Sequence, residues 1–332
     1  MQPTLLDIAR DTGTSVSTVS RVLAGGSGSE RISTVTRQRV LAAAQRLGYR
    51  PNLVARSLRT RRSNTVALLV SDIANPWFGQ IASLVEQRLH QHGYSLMLCN
   101  SGEDAELERE YLRLLPAKGI DGLIVVPLSP TREALMESLP PGLPVVVLDR
   151  PIPGIPASVW SDQEQAAGLL CDALLRVGVR RVGLVMGPQH VVTHRRRAEA
   201  VAKCFEVIAS HEGPAQKETG RSAFIRFLSA SPDAIVCTNN FLGQGVLDSI
   251  AQIENPLVIG CFDEVPMIHL LPIPIACSVQ DVAGLAEGCV RLLLPQLQGS
   301  REPQEEIVLP ATLITNPAFR ARQFDAANVA AG

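Results

Sequence analysis

The stretch Thr4-Leu5-Leu6-Asp7-Ile8-Ala9-Arg10, followed by Gly13-Thr14-Ser15 and Val16-Ser17-Thr18-Val19-Ser20-Arg21-Val22-Leu23, decides how this chain is read. Leu5, Ile8 and Ala9 recur at helical spacing, and so do Val16, Val19, Val22 and Leu23. The spacing predicts two short helices around a tight turn. Gly13 stands where the first helix must stop, because glycine accepts positive φ at no steric cost. Ser15 is placed to cap the second helix. The other face of that helix is Ser17, Thr18, Ser20 and Arg21. Small polar groups plus one guanidinium suit a helix that enters a DNA major groove.

The charge distribution agrees. Residues 1–62 carry eleven arginines against Asp7, Asp11 and Glu30, a net +8, so the rest of the chain carries −9 of the overall −1. A basic head on an acidic body is the electrostatic footprint of a nucleic-acid-binding unit joined to a sensor. The full 332 residues suffice for two or three domains, and 46% hydrophobic content allows large cores.

Outward from the helix pair, 24–31 is a glycine- and serine-rich loop. A third helix follows from Ile32-Ser33-Thr34, with Val40, Leu41, Ala44 and Leu47 as its apolar face. Residues 52–58 read as one more short helix and 59–64 as a linker. From Thr65 the pattern changes. Strands at 66–70, 95–99, 122–126 and 145–148 alternate with helices near 78–92, 104–117 and 131–138. The rhythm returns after Val159, with strands at 182–186, 234–237 and 257–259 and helices near 162–177, 193–208 and 241–250. Such alternation means βαβ units and parallel sheets. The expected fold is therefore α/β: a three-helix head, then two doubly wound halves.

No G-x-G-x-x-G follows a strand, and Gly243-Gln244-Gly245 falls inside a helix, so no dinucleotide site and no cofactor is expected. There is no P-loop, no nucleophile elbow and no metal-spaced His or Cys, which argues against an enzyme and against a metal. The seven cysteines lie mostly in apolar runs and read as free thiols of a reducing, cytoplasmic setting. No signal peptide and no apolar run long enough to span a membrane is visible.

The head resembles the LacI family of bacterial transcription regulators. The residues that carry the resemblance are Leu6-x-Asp-Ile-Ala, Gly13-x-Ser15, Thr18-Val19-Ser20-Arg21-Val22, Leu47-Gly48-Tyr49-x-Pro51-Asn52 and Ala55-x-x-Leu58. It continues through Asn75-Pro76-x-Phe78, Asp121-Gly122-Leu123-Ile124, Leu148-Asp149-Arg150, Asp162-x-x-x-Ala166 and Phe262-Asp263-Glu264. Departures are Thr14, Ala24, a longer loop 24–31 and Asn240 where the family usually has Val, Asn, a shorter loop and Asp. Some features resemble the fructose-repressor branch. Segment 205–225 looks short by roughly one strand.

The resemblance implies a helix-turn-helix domain over 1–49, a hinge over 50–64 and a periplasmic-binding-protein-like body over 65–332. Subdomain one is expected near 65–157 and 282–311, subdomain two near 158–281 and 312–325. Val16, Ser17 and Arg21 would face bases, with Thr4, Leu5, Ser15, Thr18 and Ser20 on phosphates. Asn52, Ala55 and Leu58 would form a hinge helix in the minor groove, with Leu58 as the wedge. A small effector would meet Asp72, Trp77, Phe78, Asp149, Arg197, Asn239, Asp263 and Gln280. The run His194-Arg195-Arg196-Arg197 invites a phosphate, yet adjacent helical residues diverge by about 100°, so at most two can face one cleft. The expected function is a homodimeric repressor on palindromic operator DNA, released or enforced by a sugar or phosphosugar. The alternatives are an activator or dual regulator of carbon metabolism, or a sugar-binding protein without a regulatory role.

The wedge makes a specific prediction. Leu58→Ala weakens binding to the operator while nearly sparing non-specific DNA, read by fluorescence anisotropy on both; equal losses on the two would remove the wedge role.

Overall fold

The computed structural model describes residues 3–24, 32–50, 62–250, 257–300 and 304–323. They divide into two units, Met1–Ser63 and Asn64–Gly332.

In the first unit α1 spans Leu5–Thr12, α2 spans Val16–Ala24 and α3 spans Thr34–Arg46. A capping box opens α1. The Asp7 amide donates to Thr4 Oγ1 at 3.4 Å, and the Thr4 amide donates back to Asp7 Oδ2 at 2.8 Å. Gly13 ends the helix in the left-handed region, with φ 61°. Ser15 Oγ accepts the Thr18 amide at 3.1 Å and caps α2; Ser33 Oγ accepts the Thr36 amide at 3.2 Å and caps α3. Ile8, Ala9, Val19, Val22, Val40, Ala43 and Ala44 form a small core. Val16 shares the apolar spacing of α2 yet is exposed, in keeping with a base-facing place; Leu41 is exposed against expectation, and Ala43 is buried instead. Leu41 follows Val40 and points about 100° away, whereas Ala43 lies three residues on and shares Val40's face.

The second unit consists of two doubly wound lobes. Lobe one holds β1 (Thr65–Val70), α4 (Pro76–Gln91), β2 (Ser95–Asn100), α5 (Ala105–Ala117), β3 (Gly122–Val125), α6 (Arg132–Met136), β4 (Val145–Leu148) and β5 (Ser158–Ser161). Lobe two holds α7 (Gln163–Arg176), β6 (Arg181–Met186), α8 (Val192–Cys204), β7 (Glu206–Glu212), α9 (Lys217–Phe227), β8 (Ala234–Cys237), α10 (Asn240–Ile250), β9 (Val258–Phe262) and β10 (Ile275–Gln280). The chain then returns to lobe one with α11 (Val282–Leu297) and β11 (Glu306–Leu309), and to lobe two with β12 (Ala311–Thr315). The sheets run β11-β5-β4-β3-β1-β2 and β12-β10-β9-β8-β6-β7. Every pairing is parallel except β10 with β12. The first five strands of each lobe thus repeat one order, and β4 and β9 hold equivalent places.

The period-2 alternation of strands separates two core layers in each lobe. In β1, Val66, Leu68 and Val70 pack with Ile81 and Val85 of α4, while Ala67 and Leu69 pack with Leu112 and Leu115 of α5. In β8, Ala234 and Val236 face α7, while Ile235 and Cys237 join Phe224, Phe227 and Val246.

The chain crosses between lobes near 162, 281 and 310. Asp162 caps α7 by accepting the Glu164 and Gln165 amides, and Asp281 caps α11 by accepting the Gly284 amide. Gln165 ties two crossings together: Ala311 N–H donates to its Oε1 at 2.9 Å, and its Nε2 donates to Ala311 O at 3.3 Å. Short crossings between two rigid layers are the geometry of hinged closure.

The structure corrects three expectations. Strand β5 pairs with β4 and β11, so the boundary expected after 157 moves past Ser161. The helix expected to 208 ends at Cys204, and β7 occupies Glu206–Glu212, so segment 205–225 has not lost a strand. The periodicity named no element beyond 259, where β10, α11, β11 and β12 complete the sheets.

Helices α9 and α10 cross at two glycines. A Cβ on Gly245 would stand 1.9 Å from Lys217 O, and one on Gly220 would stand 2.1 Å from Leu242 O. This is why Gly245 sits mid-helix. Gly245→Ala is expected to cost roughly 1–3 kcal/mol by overpacking. Gly168→Ala, on the exposed side of α7 with open space around it, gains about 0.5–1 kcal/mol. Urea midpoints of the two variants test the contrast.

Candidate functional site

In the first unit, the capping Ser15 and Val16, Ser17 and Arg21 of α2 are exposed, and Thr18 and Ser20 are half-buried beside them. Ser15 Oγ lies 2.8 Å from Ser17 Oγ and 2.9 Å from Thr18 Oγ1, so the three hydroxyls form one cluster. Thr4 is exposed, but its amide and hydroxyl both donate to Asp7 Oδ2. Those bonds hold the Asp7 carboxyl below its ordinary range. Leu5 is half-buried against the head core. The expected hinge residues Asn52, Ala55 and Leu58 lie outside the described residues.

In the second unit, a cavity of about 340 Å³ opens between the lobes at the carboxyl ends of the parallel strands. All eight expected effector residues line it: Asp72, Trp77, Phe78, Asp149, Arg197, Asn239, Asp263 and Gln280. Six of them follow a strand or open the next helix. Asp72 and the Trp77–Phe78 pair come after β1, Asp149 after β4, Asn239 after β8 and Asp263 after β9. Gln280 ends β10, and Arg197 projects from α8. The Trp77 and Phe78 rings meet edge to face, 4.8 Å between centroids.

Arg197 organises lobe two. Its Nε donates to Gln163 Oε1 at 2.7 Å, and its Nη1 donates to Thr238 O and to Asp263 Oδ2, both at 2.9 Å. Gln280 Nε2 donates to the other Asp263 oxygen at 2.8 Å. The guanidinium also lies over the Phe262 ring, 5.0 Å from its centroid. Lobe one is built differently. Arg150 forks onto Glu103 at 2.6 and 3.2 Å and donates to Ser71 Oγ at 3.2 Å. Among the described residues the Asp149 carboxylate pairs with Arg150 Nε alone, at 3.8 Å, and that Nε makes no hydrogen bond. Burial therefore pushes the Asp149 carboxyl above its ordinary range, against the pull of Arg150 and Arg197.

Asp149 and Asp263 end equivalent strands, and both hold the left-handed conformation, with φ 67° and 66°. Aspartate tolerates that region better than most side chains. The turn carries each carboxylate to the cavity wall.

Sequence reasoning missed several cavity residues. Asn75 and Arg150 lie within the quoted motifs, and His194 within the basic run, so signals for them existed; Glu103 had none. His194 Nδ1 lies 2.8 Å from Thr238 Oγ1, and its ring fills the space a Cβ on Gly187 would need. Burial, then Arg197 and Arg150, drives its pKa well below the ordinary value, so it is neutral. The basic run divides. His194 and Arg197 face the cavity, Arg195 faces Glu199, and Arg196 covers Trp160 from outside. Across the mouth, Asn75 and Asn240 exchange two amide hydrogen bonds of 3.2 Å, joining lobe one to lobe two.

Residues 63–255 match the periplasmic binding proteins and sugar binding domain of the LacI family, and residues 4–52 match the bacterial regulatory proteins of the lacI family. The chain belongs to the LacI family. A ribose operon repressor of Bacillus subtilis (strain 168) is 31% identical over 331 residues, 96% of this chain and 98% of that protein. The Cra transcriptional dual regulator of Pseudomonas putida, solved with fructose 1-phosphate, is 26% identical with TM-score 0.70, over 76% of this chain and 98% of that one. The Lac repressor dimer, solved on operator with the anti-inducer ONPF, shares the fold at TM-score 0.84 and 24% identity, over 96% of this chain and 99% of that one. The family is one of transcription regulators, with a helix-turn-helix head and a two-lobed body. Among the described residues no helix is long and apolar enough to cross a membrane, and no group of three or more His, Cys, Asp or Glu could hold a metal.

The raised carboxyl of this LacI-family cavity has a stability consequence. The folded state holds the Asp149 proton more tightly than the unfolded chain does. Its favourable contribution is complete below the ordinary value of 3.8 and is lost as pH rises through the raised one. Above the ordinary value the cost of ionising the buried group weighs against the fold. Asp149→Asn is expected to raise the Tm at pH 7, on the order of 2 °C, with the gain shrinking as the pH is lowered towards 4. A lower Tm for the variant at pH 7 would contradict this account.

Proposed function

We propose that this chain is a homodimeric LacI-family repressor that binds a palindromic operator and responds to a small ligand, a sugar or phosphosugar, held between its lobes. The observation that carries the reading is one cavity lined from both lobes, in a chain whose other unit is a basic helix-turn-helix. The organisation is a head of 1–49, a hinge of 50–64 and a body from 65, working in the cytoplasm.

In this reading Val16, Ser17 and Arg21 meet base edges, and Arg21 forks onto a guanine. Ser15, Thr18 and Ser20 supply hydroxyls to phosphates, with Thr4 and Leu5 at the start of α1. Asn52, Ala55 and Leu58 form the hinge, and Leu58 opens a base step. Trp77 and Phe78 offer ring faces to the ligand, while Asp72, Asp149, Arg197, Asn239, Asp263 and Gln280 offer polar partners. Ligand binding changes the closure of the lobes, and closure changes the spacing of the two hinges. That coupling requires the ligand to prefer one closure state. The Asn75–Asn240 pair holds the mouth in one of those states.

The named relatives favour repression: a ribose operon repressor at 31% identity and a Lac repressor dimer on operator with the same fold. The likeness to a dual regulator, at 26% identity, gives activation a weaker claim.

The test is DNA binding by the full chain to operator selected from a random pool. Specific affinity falls with salt at a log–log slope of roughly −5 or steeper. Salt-insensitive or sequence-blind binding would defeat the proposal. Arg197→Ala is expected to remove ligand response while ligand-free operator affinity changes little, with circular dichroism confirming the fold; a variant that still responds to ligand would show the cavity assignment to be wrong.

A further inference from the structure

We infer that Cys171 and Cys204 of lobe two form a peroxide-responsive dithiol, whose oxidation to a disulfide clamps α8 onto α7 and is undone by thiols.

The pair follows from helix packing. Ala167, Leu170, Cys171 and Leu174 of α7 share one core layer with Ala198 and Val201 of α8. Cys204 lies three residues beyond Val201, so it continues that face of α8 by one turn. The two thiols meet there and are hydrogen-bonded to each other. Both are free cysteines. They differ in access. Cys171 is buried, at 2% exposure, whereas Cys204, the last residue of α8, is exposed. One sulfur meets the solvent and the other stands behind it.

The remaining cysteines lack this arrangement. Of the seven, Cys204 alone is exposed. Cys237, Cys261 and Cys277 stand side by side on β8, β9 and β10, yet all three are fully buried. In lobe one, Cys99 and Cys289 belong to different core layers.

Access assigns a role to each sulfur. Burial pushes the pKa of the Cys171 thiol up, and the hydrogen bond and charge of Cys204 push the same way. Cys171 therefore holds its proton, and the exposed Cys204 is the sulfur that attacks. Its thiolate takes one oxygen of the peroxide. The O–O bond breaks, and the leaving hydroxide gains a proton to become water. Cys204 is then a sulfenic acid. Cys171 gives up its proton and attacks the sulfenic sulfur. The S–O bond breaks, and the departing hydroxide takes that proton as water. Two thiols have lost two electrons and two protons, and one peroxide has become two waters. Thiol–disulfide exchange reopens the bridge, so in a reducing compartment it is transient.

The position makes the bridge a clamp. Helix α8 begins at the cavity, where His194 and Arg197 line it, and ends at Cys204. Arg197 Nε already ties it to Gln163 at the start of α7, at 2.7 Å. The disulfide ties the far end. It also closes the chain between 171 and 204, which lowers the entropy of the unfolded state.

The experiment uses the full chain, reduced, freed of reductant and treated with hydrogen peroxide. Peptide mapping by mass spectrometry is expected to give a linked Cys171–Cys204 peptide, lighter by two hydrogens than its parts, which dithiothreitol separates. The Tm of the oxidised chain is expected to rise by about 5 °C. Cys204→Ser forms no link and shows no rise. Cys171→Ala leaves Cys204 as a sulfenic acid that dimedone captures. Oxidation of Cys204 to a sulfinic acid, or its pairing with Cys204 of a second chain in place of Cys171, overturns the inference. A linked peptide with an unchanged or lowered Tm overturns the clamp.

Discussion

The Arg197–Asp263 ion pair holds the ligand-facing edge of lobe two together. One guanidinium binds a side chain of α7, the backbone after β8 and the carboxylate after β9, and Gln280 of β10 completes that carboxylate. Four elements are thereby locked at their cavity ends. The pair is almost fully buried, and its desolvation is offset by hydrogen bonds from Arg197 Nε and Nη1 and by bonds to both Asp263 oxygens. Breaking such a pair typically costs about 3–5 kcal/mol. The arrangement gives lobe two a rigid wall.

Lobe one repeats the topology with a different polar solution. Its arginine is directed to Glu103, and the aspartate at the equivalent strand end is left facing the cavity. The fold tolerates a carboxylate that destabilises it, as binding sites commonly do. The same sheet order places both aspartates at strand carboxyl ends in the left-handed conformation. What differs is the neighbour each was given.

The alternation of strands and helices was legible because each sheet is buried on both faces, which makes β1, β3, β4, β8 and β9 continuous apolar runs. Of the edge strands, β2 reads from its sequence, whereas β7, β11 and β12 do not. In β7, half-exposed and polar residues such as Ser210, His211 and Glu212 break the run, and its first residues read as the end of the preceding helix. β11 and β12 are edges too and carry exposed Val308 and Leu313. At the site, residues inside family motifs were found, and their meeting at one cavity follows from strand ends. Glu103 was invisible because its role is a single long-range pairing with Arg150, 47 positions away. Local pattern carries no trace of such a bond. The division of the basic run needed the helix phase of α8, which the sequence bounded without assigning.

In the proposed repressor the cavity and the DNA-binding head are thermodynamically linked, so DNA must act on the cavity as the ligand acts on DNA. Trp77 reports this directly, since it lines the cavity and the chain has only two tryptophans. In a Trp160→Phe variant, the fluorescence of Trp77 is followed while selected operator DNA is added without ligand. The account predicts a saturable change with operator and none with non-operator DNA of the same length. Unchanged Trp77 emission at saturating operator would contradict it.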